Sequence, residues 1–441
     1  MALLAGALAF VVAVWPYRPA PAKPPQPASA PVGGAAAKPP PGPGGQPLPQ
    51  RPTGLGGEFE PQSALILGCN ELIWAHPDVF AALVAATHCH VPVIGLVTDE
   101  VQLRLARGTV KGLRLPAGAV RFVTAPADTM WVRDYGPFFV GRAGGAALVD
   151  GEYSSLDDLE DRPQDDAIPK WLGAGLHLPV AALPLKIEGG NLLSNGDGLC
   201  VATTALIQRN LSRGCDPFRI EALLREHLGI QGLIFLNELA GEETGHVDMF
   251  VTFLAPNVAV VAQCSPLDDA LNAKVLDEAA TVLSRLRTSL GPMRVHRVPM
   301  PPPRGGVWRS YTNVLFANGV LLVPTYSDVP VALEAAALAL YRRLLPGWTV
   351  VGVNSDGLAA KGGALHCISL NVPAFVPIDR LAEQAARGPR PKGLWSIGGG
   401  DPFAPFRQAR RVDRGRREGP VPVRAPVRRL EPLRPSRGRR P

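Results

Sequence analysis

The stretch EETGHVDMFVTFLAP, Glu242–Pro256, runs from a polar head straight into an apolar segment. Met249–Phe253 reads as a strand, Val258–Gln263 as a second one beyond the turn, and Leu267–Leu290 as a helix. The same alternation recurs along the chain. Ala64–Gly68, Val91–Val97, Val120–Thr124, Phe138–Val140, Leu199–Thr203, Val320–Pro324 and Thr349–Val353 are strand-like. Pro77–Thr87 has proline in its first turn. Asp216 caps a helix with apolar positions at Ile220, Leu223, Leu224 and Leu228. Val329–Leu345 is the last helix. Interleaved strands and helices make this an α/β chain, not a bundle or a sandwich.

The polar head of the opening stretch carries chemistry. His246 and Asp248 stand two residues apart at a strand entrance, a spacing that puts them on one face. Three other segments place reactive groups where strands end. TMWVRDYGPFFV (Thr129–Val140) holds Asp134 between a tryptophan and a Gly-Pro turn, as either a turn cap or a fixed anion. KIEGGNLLSNGDGLCVATT (Lys186–Thr204) holds Glu188 before two glycines, and its Asn195–Gly198 run is a hairpin signal. GGALHCISLN (Gly362–Asn371) sets His366 beside Cys367. Read as a short buried strand, Ala364–Leu370 points these two side chains apart. Cys367 is then an inert small hydrophobe or a nucleophile whose base comes from elsewhere, and His366 is a structural histidine facing away from the thiol. His88–His90 (HCH) reads as two histidines on one strand face; no third ligand lies at motif spacing, so a structural role is favoured over a metal site.

Composition divides the 441 residues. Residues 1–22 resemble a signal or anchor segment, which implies an extracytoplasmic protein; the chain is cytoplasmic if they do not act as one. Residues 23–56 form a Pro/Ala/Gly-rich linker too poor in apolar residues to fold. The tail 407–441 carries 13 Arg against three acids, and four bases stand in the first 56 residues. The body 57–406 is therefore acidic although the whole chain is +7. That balance suits a cationic small substrate and excludes specific nucleic-acid binding, leaving the tail weak contacts with anionic surfaces. The six cysteines show no CxxC spacing, so neither a disulfide framework nor a zinc ribbon is expected. No GxGxxG or GxxxxGK[ST] loop marks a nucleotide enzyme.

Taken in order, W-x-R-D-x-G-P (Trp131–Pro137), E-G-G-N (Glu188–Asn191), G-H-V-D (Gly245–Asp248), R-S-Y-x-N (Arg309–Asn313) with V-P-x-Y-x-D (Val323–Asp328), and G-G-x-x-H-C (Gly362–Cys367) resemble the agmatine deiminase and bacterial peptidylarginine deiminase family. The resemblance covers about Glu60 to Pro377. It implies a five-bladed, pseudo-symmetric α/β propeller (the pentein fold) with its site in the central channel. It also implies Cys367 as nucleophile, His246 as general acid/base, Glu188 as the acid that orients it, and Asp134, Asp248 and Trp131 around the substrate. No cofactor or metal is implied, and the substrate is agmatine or arginine, free or peptidyl. Tyr135 stands where small residues are common, and GGALHCISLN lacks the asparagine usual before the Leu-His-Cys. An amidinotransferase sharing the intermediate, or a catalytically silent propeller acting as a binding module, are the alternatives.

Overall fold

The computed structural model describes residues 54–116, 118–153, 162–379 and 381, within the first of two compact units, Met1–Pro389. The segment 1–22, the linker up to residue 53 and the tail 407–441 lie outside the described residues. The linker expected to reach residue 56 ends sooner. Gly54–Leu55 pairs antiparallel with Gly141 and Val140, an edge that needs only backbone groups and so has no apolar signature in sequence.

Five sheets share one wiring. In each, a first strand pairs antiparallel with a second, and the second pairs in parallel with a third. The sets are Phe138–Arg142, Gly145–Glu152 and Val180–Lys186; Leu193–Ser194, Leu199–Thr203 and Gly232–Leu236; Val251–Ala255, Val258–Gln263 and Arg294–Pro299. The fourth is Leu315–Ala317, Val320–Thr325 and Thr349–Asn354. The fifth joins the two ends of the domain: Ser369–Pro373 pairs with Gln62–Gly68, which pairs with Val93–Val97. A parallel third strand requires a crossover. Helices Ile168–Leu176, Pro217–Leu228, Ala270–Ser284, Val331–Leu344 and Pro77–Thr87 lie in those connections.

Several elements match the sequence reading residue for residue, including Val120–Thr124, Leu199–Thr203, Val258–Gln263 and helix Pro77–Thr87. Asp216 caps its helix by accepting from Arg219 N at 2.7 Å. The Asn195–Gly198 hairpin forms, with Gly196 and Gly198 at positive φ. Others differ. The strand expected at Met249 begins at Val251, because Val247–Met249 closes a 3₁₀ turn first. His88–His90 is a turn after a helix, not a strand: His88 caps that helix, and its Nδ1 lies 2.8 Å from Val84 O. Ala364–Leu370 is likewise not a strand. Leu365–Ile368 is a turn, and extended backbone starts at Ser369.

Buried Asn191 fastens two of these sheets. Its Oδ1 accepts from Thr203 N (3.0 Å) and Val247 N (3.2 Å), while Thr203 Oγ1, 3.1 Å away, donates to Gly245 O. Asn191→Ala strands those two N–H groups in the interior and is expected to cost about 2–4 kcal/mol in chemical denaturation. Asn191→Asp, which keeps an acceptor, should lose less.

Candidate active site

Each site segment immediately precedes the first strand of one sheet, so the reading that placed them where strands end is corrected to where they begin. Asp134 lies in the short helix Val132–Tyr135 before Phe138. Glu188 precedes the 3₁₀ turn Gly189–Asn191 before Leu193. His246 and Asp248 lead into Val251, and Cys367 leads into Ser369. The fifth segment, ending in Asn313, leads into Leu315. It carried no chemical assignment in the sequence, although it lies in a motif singled out there.

Hydrogen bonds join the five segments into a closed circuit. Gly190 N donates to Asp134 Oδ1 (3.1 Å), and Val247 N to Asn191 Oδ1 (3.2 Å). Thr312 Oγ1 donates to Asp248 O (3.1 Å), His366 N to Asn313 O (3.3 Å), and Arg133 N to Cys367 O (3.1 Å). Two glycines allow the close approach. A Cβ on Gly189 would sit 2.1 Å from Arg133 O. One on Gly190 would sit 2.6 Å from Asp134 Oδ1, 2.7 Å from His246 Nδ1 and 3.1 Å from Asp248 Oδ2. Only a residue without a side chain leaves those three groups facing one hollow.

The predicted site residues are therefore brought together. Cys367 Sγ is 3.9 Å from Asp248 Oδ2 and 3.4 Å from Asn313 Nδ2. Asp134 Oδ1 is 3.6 Å from His246 Nδ1. Glu188 Oε2 approaches His246 Nε2 only to 3.9 Å, while its Oε1 takes a 2.6 Å bond from Arg209 Nη1. Trp131 stays half-buried, and its ring lies against Gly363, where a Cβ would meet it at 2.5 Å, next to the Cys367 Cβ. Tyr135 turns elsewhere: its hydroxyl donates to Thr129 O at 2.9 Å and its ring meets Tyr153 edge-on. It takes no space where small residues are common.

His366 does not face away as the strand reading implied. A turn imposes no alternation, and the ring reaches back to Asp248 Oδ2 at 2.7 Å through Nδ1 and to Glu58 Oε2 at 2.9 Å through Nε2. Both nitrogens are occupied, so the ring still offers Cys367 no base. Behind it, Arg133 Nη1 donates to Glu58 Oε1 (2.6 Å) and Nη2 to Asn371 Oδ1 (2.7 Å). A cavity of about 80 Å³ borders Glu58, Arg133 and Asn371 on this rear side.

Burial sets the protonation pattern. It pushes Cys367 well above the usual thiol range, and Asp248 and Asp134 add to the rise. It raises Asp134 well above the carboxylate range too, with Asp248 and Glu188 reinforcing and the Gly190 N–H opposing. It lowers His246 to about 4, against the pull of Asp248. At neutral pH, without a bound cation, the site holds a thiol and a neutral imidazole.

Asn191, Arg133 and His366 stood within the quoted motifs beside residues that were assigned, and Asn313 stood in the quoted R-S-Y-x-N motif, in which no residue was assigned. Arg209 and Glu58 carried no signal, since each meets its partner only through the fold. Among the described residues, no group of three or more His, Cys, Asp or Glu could hold a metal ion.

The Porphyromonas-type peptidyl-arginine deiminase family model matches residues 55–373. The agmatine deiminase of Stutzerimonas stutzeri is 30% identical over 328 residues, covering 67% of this chain and 86% of its own. A candidate arginine deiminase of Porphyromonas gingivalis superposes with a TM-score of 0.65 at 26% identity, covering 74% of this chain and 99% of its own. The agmatine deiminase of Enterococcus faecalis gives the same TM-score at 22% identity, covering 74% and 96%, a likeness of fold. The chain belongs to the Porphyromonas-type peptidyl-arginine deiminase family.

Proposed function

We propose that the chain hydrolyses an unbranched aliphatic guanidine, such as agmatine or arginine (free or peptidyl), to its ureido product and ammonia. The convergence of Asp134, His246 and Asp248 on the side-chain-free face of Gly190, beside Cys367, carries the reading. Planar paired N–H donors on a guanidinium match two flanking carboxylates, and such a pair sets the guanidinium carbon against the sulfur. The repeated three-stranded wiring and the circuit of five segments support a pseudo-fivefold propeller with the site on its axis.

The bound cation offsets the carboxylate charges that hold Cys367 protonated, and the thiol proton passes to His246. The thiolate forms the C–S bond. His246 returns the proton to the departing nitrogen as the C–N bond breaks, leaving a covalent thiouronium and ammonia. His246 then takes a proton from water, which adds to the same carbon. The C–S bond breaks, the hydroxyl proton passes to the leaving sulfur to free the ureido product, and His246 gives up its proton to solvent or ammonia, restoring the thiol and the neutral imidazole. Glu188, itself countered by Arg209, favours the cationic form of the histidine. Trp131 walls the site beside the thiol. The Stutzerimonas relative supports agmatine as the first substrate to try.

Assay of the full chain against agmatine, free arginine and an arginine peptide should yield ureido product from at least one. Cys367→Ala should remove on the order of 10⁴-fold or more of that rate. Unchanged ammonia release in the variant refutes the proposal.

Two further expectations follow from protonation. Binding requires Asp134 ionised, so kcat/KM should fall as pH drops through its raised pKa, by up to about tenfold per pH unit. The limb should lie above the ordinary carboxylate range. Because the folded-state pKa of Asp134 is raised, its stabilising contribution is complete below the unfolded value and lost as pH rises through the folded one. Asp134→Asn, unable to ionise, should therefore melt higher than the parent at pH 8 without ligand while losing activity. Calorimetry with parallel assays checks both.

A further inference from the structure

Asp248 is held from behind by a chain of basic and acidic groups. Arg133 donates to Glu58, Glu58 accepts from one nitrogen of His366, and the other nitrogen meets Asp248 Oδ2 at 2.7 Å. Asn313 Nδ2 adds a 3.0 Å bond to the same oxygen. Asp248 Oδ1 has no hydrogen-bond partner among the described residues. Oδ2, the oxygen that faces Cys367 Sγ and the hollow at Gly190, is therefore the one held in place. All four members of the chain come from different parts of the sequence, and Glu58 sits four residues after the start of the described chain. Asp248 is 1% exposed, so protein partners and not solvent set its orientation.

The charges fit this arrangement. Burial and Arg133 both push the His366 imidazole down, but Glu58 and the bond to Asp248 outweigh them, and the net displacement is upward. Burial pushes Glu58 up, yet Arg133 and His366 bring it to about 2. The row thus alternates basic and acidic groups, Arg133, Glu58, His366 and Asp248. His366 is the member adjacent to the reacting cysteine, yet its ring nitrogens bond the two carboxylates and not the thiol.

We infer that Glu58 and His366 are positioning residues for guanidinium binding: a carboxylate–imidazole pair that fixes the orientation of Asp248, whose Oδ2 faces the hollow beside Gly190 and Cys367. This rests on the guanidine-binding reading of the site, and it assigns the histidine beside the nucleophile a task distinct from that of His246. A purely architectural role, pinning the segment around Glu58 beneath the first sheet, would affect folding but would not discriminate between charged and neutral reagents.

The test uses the full chain and does not require turnover. Alkylation of Cys367 is followed by peptide mass analysis with chloroacetamidine, which is cationic, and iodoacetamide, which is neutral and similar in size. The ratio of the two rates is compared among the parent, Glu58→Gln and His366→Gln. Each variant keeps a side chain that can hydrogen-bond but cannot carry the charge. In His366→Gln the ratio should fall by about tenfold or more, the loss of one charge-assisted contact. In Glu58→Gln it should fall in the same direction by about threefold. The neutral reagent's rate should stay within about twofold, and for any guanidine that is turned over KM should rise more than kcat falls. Ratios in both variants within twofold of the parent overturn the inference. If His366→Gln does not fold, the Glu58→Gln ratio decides alone. Absence of ureido product with a collapsed ratio rejects hydrolysis but keeps the positioning role, whereas normal turnover with an unchanged ratio rejects only the positioning role.

Discussion

Burying like charges around a hole is the constraint on which the rest of the molecule depends. Asp134, Glu188 and Asp248 approach one histidine, and such carboxylates taken out of water repel one another and favour protonation. The fold answers with counter-ions at the back: Arg209 on Glu188, and His366 with Arg133 and Glu58 behind Asp248. Asp134 has a backbone N–H from Gly190 and, at 3.6 Å, His246 Nδ1, with no Arg or Lys bonded to it among the described residues. It is the least compensated of the three, and the position where an incoming cation has most to gain.

The circuit of hydrogen bonds explains how such a site can be rigid although it is built from short turns. None of its five segments is regular for more than a few residues. Each is continuous with the first strand of a sheet, so its geometry is inherited from a ladder of backbone bonds. Each also hands a hydrogen bond to the next segment. An error in one would have to be absorbed by both neighbours. Precision on turns is usually harder to hold than precision on helices or strands; here the strands hold it at one end and the circuit at the other.

Much of this was legible in the sequence. Alternating apolar runs located nine strands within two residues but missed others such as Gly145–Glu152 and Gly232–Leu236, and the caps at Pro77 and Asp216 located two helices, because local burial and capping dominate there. The site residues were found through motifs, not periodicity. Periodicity misled at Ala364–Leu370 and at Met249. In both places a turn packed in the interior is as apolar as a strand, so burial alone cannot tell them apart. That error moved His366 to the wrong side of the chain. Glu58 and Arg209 were invisible for another reason. An ion pair that closes over many residues leaves no trace in either local sequence.

The pairing of Ser369–Pro373 with Gln62–Gly68 has a consequence for the order of assembly. The strand that follows Cys367 is the last of the five-sheet repeat to be made, yet it completes the sheet begun by Gln62–Gly68. Until it docks, the thiol has neither Asn313 nor Asp248 beside it, and Asp248 lacks His366. A chain emerging from the ribosome can thus form four sheets and still hold no working site, because chemistry waits on the longest-range contact in the domain. Cys367 reaches its neighbours only once the two ends of the domain have paired.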